Sequence, residues 1–319
     1  MRDYLIRRLL LMIPTLILVS IVVFLTIRLV PGNVVELMVT EQAQTVGGRQ
    51  IDVEEIREML GFNLPVHVQY GRWVAGLLRG DLGTSLWTGR SVTEEIVGKI
   101  PITFELGFLG FIIAQLIAIP IGLYSAIRQD TGGDYLGRSF AIICLSVPGF
   151  WLGTMIMVFP SIWWGWAPPM RYIPFLDDPL GNLEQFIIPA TLLGMAMAGT
   201  TMRMLRTTML EVLRQDYIRT AWAKGLRERT VVTRHAVKNA LIPVVTVIAG
   251  QIPVMIGGTV IIEQIFNLPG MGRLFLDSMM RRDYPFVSGI NILLASIAMV
   301  IILLTDLSYA YLDPRIRYR

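Results

Sequence analysis

Charge is scarce in this sequence. Only 16% of its 319 residues are Asp, Glu, Lys or Arg, and 54% are hydrophobic; a soluble globular domain is roughly a quarter charged. The apolar residues are not spread with helical or strand periodicity. They clump in long uncharged runs, and the mean hydropathy is +0.59. This is the pattern of an integral membrane protein. Cysteine is nearly absent: the single Cys144 lies inside an apolar run, so an intrachain disulfide is impossible. Histidine is almost as rare, and His67 and His235 fall on opposite sides of the membrane in the topology below, so they make no metal site. The motifs GxxxxGK[ST], GxSxG, HExxH and CxxC are all missing. Without the first, nothing here can cradle the phosphates of ATP as a P-loop does. Paired acids of the kind used in proton relays are missing too, since Glu105, Glu263 and Asp306 stand at the ends of apolar runs. If the chain pumps a solute, the energy must come from another chain.

What is present is a set of spans. A helix needs about 20 mostly apolar residues to cross the hydrocarbon core. Six runs qualify: Leu9–Ile27, Leu106–Ile127, Ser139–Met170, Gln185–Met202, Asn239–Ile262 and Pro285–Thr305. The third is too long, so part of it must be loop. The prolines and glycines inside these runs (Pro14, Pro120, Pro148, Pro189 and Pro253, for example) are tolerated in membrane helices, where neighbours satisfy the freed backbone groups. The expected fold is all-α, with six transmembrane helices. The basic start and long apolar stretch of Arg2–Pro31 read as an uncleaved first span, because no small-x-small cleavage site follows.

Basic residues set the orientation. Arg2, Arg7 and Arg8 open the chain, Arg128 and Arg138 follow span two, and Arg315, Arg317 and Arg319 close it. The expected loop after span four, Arg203 to Lys238, carries nine bases against three acids, whereas residues Pro31–Ile100 carry six bases and nine acids. Both termini are therefore expected in the cytoplasm. One loop breaks the pattern: Arg273, Arg281 and Arg282 follow span five on the outer side. The chain divides into residues 1–95, a first helix plus extracytoplasmic segment, and residues 96–319, a five-helix core. In the outer segment Asp52–Leu60 reads as a short helix stopped by Gly61. After Pro65 comes an amphipathic stretch with Val68, Trp73, Val74, Leu77 and Leu78 as its apolar face, a lid with some docking role for a soluble partner. About 70 residues are too few for a catalytic domain.

The stretch DYIRTAWAKGLRERTVVTRHAVKN, Asp216 to Asn239, is unusual for a membrane loop. It alternates small residues (Thr220, Ala221, Ala223, Gly225) with large ones (Tyr217, Ile218, Trp222, Leu226) among six Lys and Arg side chains. Basic clusters beside membranes usually bind anionic lipid, but a solvated loop has no use for Trp222 or close-approach residues. The spacing predicts a short helix near residues 215–226 that presents Tyr217 and Ala221 on one face and ends at a left-handed Gly225.

DYIRTAWAKG, followed after nine residues by HAVKNALIPVVT, resembles the cytoplasmic signature of permease subunits of binding-protein-dependent ABC importers, in the peptide/nickel branch. The stretches Gly80–Phe108, EQIFNLPGMGRL (Glu263–Leu274) and RDYPFVSG (Arg282–Gly289), with the N-terminal apolar segment, extend the resemblance over essentially the whole chain. The general pattern begins Glu-Ala-Ala, where this sequence has Arg219-Thr220-Ala221, and Lys238 stands where that pattern has Pro. The usual acid is gone, so no salt bridge from that position is assumed. The resemblance implies the type I ABC importer permease architecture and a di- or oligopeptide as solute, with nickel, glutathione, an opine or an oligosaccharide as alternatives. It implies a chain that is not itself an enzyme and carries no cofactor, working in the cytoplasmic (inner) membrane of a prokaryote. A second homologous permease, two cytoplasmic ATPase subunits that bind ATP–Mg and an extracytoplasmic solute-binding protein are the implied partners; no nucleic acid is. Asp216, Tyr217, Arg219, Thr220, Ala221, Trp222, Lys224, Gly225 and Leu226 would then form the ATPase-coupling segment. A secondary transporter would need an internal energy-coupling site and inverted repeats, and neither is seen.

Other features have plainer readings. Trp163, Trp164, Trp166 and Tyr172 read as an interfacial belt. Asn267-Leu268-Pro269-Gly270-Met271-Gly272 reads first as a turn closing span five, with shaping of the outer gate as the alternative. Gln251, Gly257, Gly258 and Thr259, with Glu263 near the span's end, either line a pathway or pack helices closely.

Overall fold

The uncharged run Leu9–Ile27 makes the body of the first helix, α1 (Arg2–Leu29), with Pro14 in its interior. A computed structural model describes residues 2–29, 58, 61, 63–169 and 171–312. The expected helix over Asp52–Leu60 lies outside the described residues, apart from Glu58. The remaining elements are α2 (Val66–Leu77), α3 (Val92–Ile127), α4 (Gly132–Ser146), α5 (Gly149–Trp164), α6 (Pro179–Leu213), α7 (Asp216–Ala223), α8 (Val237–Ile265), α9 (Met271–Met280) and α10 (Tyr284–Leu312). A helical turn, Glu228–Thr230, and a π-helical turn, Val231–Ala236, lead into α8. Among the described residues there is no strand, only an isolated bridge between Thr84 and Ser91. Five helices are long and apolar enough to cross a membrane, and the count reaches six when α4 and α5 are taken as one broken span.

The break explains the overlong third run. α4 and α5 meet at 90°. Val147 is extended (φ −87°, ψ 120°) because Pro148 behind it disfavours helical backbone, and Pro148 then opens α5. Gly165, at φ +63°, closes α5. The fourth span is much longer than its apolar run. Asp178 caps α6 by accepting the Gly181 N–H at 3.1 Å, Pro179 fills the first position, and the helix continues through Arg203 to Leu213. The first third of the expected Arg203–Lys238 loop is therefore helix, because Met204, Leu205 and Met209 carry the inward face on past the last uncharged residue.

Two compact units form, and both are discontinuous in sequence. One comprises Met1–Pro101 and Gly270–Met299, the other Ile102–Pro269 and Val300–Arg319. α9 and the first part of α10 group with the N-terminal residues.

In the first unit α2 packs on the end of α1. Tyr70 and Trp73 lie 5.2 and 5.6 Å from the Phe24 ring, the Arg28 guanidinium sits 3.6 Å over that ring, and Gln69 Oε1 accepts from Arg28 Nη2 at 2.9 Å. Tyr70 Oη and Ser20 Oγ are hydrogen-bonded at 2.8 Å. α2 is therefore held on α1 by polar and aromatic groups, while Val68 and Val74 are half-buried. Leu78 does not belong to its apolar face: it follows the last helical residue and is 85% exposed. Val92, Ile96, Met271, Phe286 and Ile290 form the core of this unit. At its edge the buried Asp283 accepts from Ser85 Oγ at 2.6 Å and from the Leu86 N–H at 3.2 Å, and Trp87 Nε1 donates to the Arg281 carbonyl at 2.9 Å. Burial pushes the Asp283 carboxyl above the usual carboxylate range, against the pull of its Ser85 and Leu86 hydrogen bonds.

In the second unit α3, α6 and α8 supply most of the core, with clusters around Leu106, Phe186 and Phe266 and around Ala114, Ala118 and Ala198. Small residues bring α3 and α6 together: a Cβ built on Gly194 would lie 2.5 Å from the Gly110 carbonyl oxygen. Buried Asn182 and Gln185 hold the segment before α6, donating to the carbonyls of Ile173 and Pro169 at 2.9 Å each.

Candidate functional site

The basic stretch after α6 folds as the short helix its spacing implies. Gln215 precedes α7 in extended conformation, and Lys224 ends it. Gly225 follows at φ +73°, its N–H donating to the Trp222 carbonyl at 2.9 Å, while the Leu226 N–H reaches the Ala221 carbonyl at 3.4 Å. These two bonds are the Schellman pattern, which requires a left-handed residue and so favours glycine.

One face of α7 is anchored. Ile218 is fully buried and Ala221 is 6% exposed; both join a cluster with Ala126 of α3, Leu205 and Met209 of α6, Val231, Val232 and Ala236 of the π-helical turn, and Ala240 and Val244 of α8. Burying a side chain such as Ile218 contributes roughly 1.5–3 kcal/mol, and it ties the helix to three long helices at once. Ala221 therefore does not share an outward face with Tyr217. The i, i+3 pair Ile218 and Ala221 points inward because Ile218 is the strongest hydrophobe of the segment, and small size at 221 allows approach to the chain's own core. Tyr217 and Trp222 remain 44% and 45% exposed, and Asp216, Arg219, Thr220 and Lys224 are exposed with them. Tyr217 is steadied at its tip, where Asn239 Nδ2 donates to its hydroxyl at 3.0 Å. Asp216 and Arg219 pair only loosely, at 3.5 Å, on the solvent side. Leu226 is partly exposed beyond the cap. The result is a short, rigidly seated knob with an aromatic, polar and basic outer face.

Beside this seat lies an ion pair that sequence reading missed. Asp134, at the start of α4, is 0% exposed. Arg206 of α6 grips it with Nε on Oδ1 at 2.8 Å and Nη2 on Oδ2 at 2.7 Å. Ser125 of α3 donates to the same carboxylate, and the Asp130 N–H adds a bond at 3.0 Å. Ser125 and Arg206 each adjoin a residue of the α7 seat, Ala126 and Leu205. The sequence signal was slight: Asp134 is one of two acids, with Asp130, between Arg128 and Arg138.

The five residues of the pathway-or-packing set do not gather at one opening. Gln251 Nε2 donates to the Met197 carbonyl at 3.4 Å and Thr201 reaches Gln251 Oε1 at 3.5 Å, which pairs α8 with α6. Gly258 lies against Leu193. Thr259 and Glu263 are buried, and Glu263 accepts from Thr103 at 2.6 Å. Gly257 alone of the five is exposed. Asn267, at φ +55°, turns the chain after α8, with the Leu268 N–H returning to the Glu263 carbonyl at 2.9 Å.

Residues 118–318 match the family described as binding-protein-dependent transport system inner membrane component, and residues 1–107 match the N-terminal family of the same membrane component. The chain belongs to this family. Among its relatives is a peptide transport system permease of Brucella abortus, 40% identical over 306 residues and 96% of each chain. An oligopeptide transport system permease of Bacillus subtilis is 39% identical over the full length of both, and a glutathione transport system permease of Pectobacterium atrosepticum 38%, again over both full lengths. The permease is thus an ABC importer subunit of the peptide/nickel branch, a generally non-catalytic class, and a multi-span protein of the inner membrane. Its fold is similar to two solved transporters. One is an amino acid ABC transporter crystallised with histidines (TM-score 0.51, 14% identity, 70% of this chain and 95% of that one). The other is the inward-facing MetNI methionine ABC transporter (TM-score 0.55, 15% identity, 68% and 96%).

Proposed function

We propose that this permease forms half of a pore that imports di- or oligopeptides, with a second homologous permease as the other half. Of two cytoplasmic ATPase subunits binding ATP–Mg, one docks on the outer face of α7, and an extracytoplasmic binding protein delivers the solute. The observation that carries this reading is the seating of α7. Ile218 and Ala221 fix the helix to α3, α6 and the start of α8, while Tyr217, Thr220, Trp222 and Lys224 stay available to another protein. A partner that moved this knob would move the ends of three spans. The names of the relatives support a peptide as solute, and the glutathione permease supports a short one. Pathway lining by Gly257 belongs to the same proposal. The test is uptake into proteoliposomes of the complete complex. Labelled di- to pentapeptides should accumulate only with ATP and binding protein, and accumulation without ATP would exclude an ATP-driven importer.

The proposed orientation puts both termini and α7 in the cytoplasm, on the strength of the basic bias. Asp177→Cys should react with an impermeant thiol reagent outside intact cells, and Arg229→Cys should not. Labelling at 229 would reverse the topology.

A further inference from the structure

Three arginines broke the charge pattern on the proposed outer side, and two of them are used locally. Arg273 lies 3.8 Å from Asp277, and the backbone of Arg281 anchors Trp87. Arg282 is different. Its φ of +55° is the left-handed position of the Schellman cap that ends α9, with the Arg282 N–H on the Met279 carbonyl at 3.2 Å and the Asp283 N–H on the Ser278 carbonyl at 2.8 Å, and its side chain has no hydrogen bond or ion pair with any described residue. It stands at the rim of a groove of about 300 Å³ inside the first unit, walled by Val22 and Val23 of α1, Phe275 and Met279 of α9, and Val287 of α10. Asn291, at the far wall, has its amide committed to the Val287 carbonyl at 2.8 Å. The groove is therefore apolar along its length, with one unpaired cation at one end.

Its position fits that chemistry. The apolar span of α1 ends at Thr26 and that of α10 begins at Tyr284, and both residues line the groove. The apolar walls thus run inward from a membrane border, and Arg282 stands just beyond it, at the depth of lipid phosphates. Tyr284 beside it is a residue type enriched at that level.

We propose that this groove holds an acyl chain of an anionic phospholipid whose phosphate sits on the Arg282 guanidinium. The lipid would belong to the outer leaflet in the orientation proposed above. It would fill the space between α1 and α9–α10, which the protein's own side chains leave open.

The test uses the purified transporter complex, stripped of lipid, titrated with phosphatidylglycerol and read by native mass spectrometry. Arg282→Gly should leave folding intact, since glycine adopts this φ freely. It should weaken the tightest phosphatidylglycerol site about fivefold, the factor corresponding to the ~1 kcal/mol contributed by one cation near a lipid surface. Arg282→Lys should retain binding. Val23→Trp, which fills the groove, should remove the site, while Arg273→Gln should leave it unchanged. Undiminished phosphatidylglycerol binding by Arg282→Gly would overturn the proposal. So would cross-linking of Met279→Cys to the second permease, because a protein helix would then occupy the groove.

Discussion

Asp134 and Arg206 form a two-pronged ion pair across the bases of α4 and α6, with the carboxylate fully buried. Taking one partner away from such a pair leaves the other charge uncompensated, which costs about 3–5 kcal/mol, whereas replacing both by apolar groups of similar size is often neutral. Asp134→Ala and Arg206→Ala should each lower the thermal unfolding midpoint of the detergent-purified complex. Asp134→Leu combined with Arg206→Met should recover most of the loss. Single variants that melt like the parent would show that the pair does not hold these helices.

The α3–α6 crossing makes a sharper steric prediction. Gly194→Ala places a methyl against the backbone of Gly110, an atom that cannot rotate away, and overpacking of this kind costs roughly 1–3 kcal/mol. Gly257→Ala meets nothing within 4 Å and should be tolerated. Melting curves of the two variants should separate clearly, and equal midpoints would contradict the close approach.

Much of this was legible beforehand. Uncharged length alone locates both ends of α8 closely and one end each of α1 and α10, whose helices run on through charged or polar residues at the other end, and Gly225 announces its left-handed cap. Pro148 lay in plain view inside the third run, but a proline in a membrane segment is compatible with a kink, a loop or a right-angle break. Asp134 is hidden in the sequence because its partner is 72 residues away and Arg206 reads as a loop charge. The inward face of α7 is concealed for a related reason. A small residue signals close approach without saying to what, and for Ala221 the neighbour is the chain's own core.

Asp283 gives a pH dependence. Its carboxyl titrates above the normal range in the folded state, so between the unfolded and folded values the native protein holds a proton that the unfolded chain has released. Stability is therefore favoured at low pH and declines as pH rises through that window. Asp283→Asn should flatten this part of the melting-temperature profile from pH 4 upward. A parent protein whose stability rose across the same window, with Asp283→Asn unchanged in slope, would refute the assignment.

Gly225 offers a test of the α7 cap that is free of crowding, because nothing lies within 4 Å of a built Cβ. Any penalty is torsional. Gly225→Val should cost about 1–3 kcal/mol locally, while Gly225→Asn, which tolerates the left-handed region, should retain most ATPase association. Equal loss in both variants would point to a need for bare backbone, not for positive φ.

The most direct test concerns the outer face of α7. Thr220 is exposed and its hydroxyl bonds only to the Asp216 carbonyl at 2.9 Å, so Thr220→Arg changes the knob's surface without touching its seat. Ala221→Arg instead forces a charge into the buried cluster and should also destabilise the chain. The measurement is co-purification of the ATPase subunits with Thr220→Arg permease, alongside peptide uptake by the reconstituted complex. The expected result is a normally folded permease that still pairs with its second permease but loses the ATPases and all ATP-driven uptake. Full ATPase retention and uptake at the parental rate would contradict α7 as the coupling site.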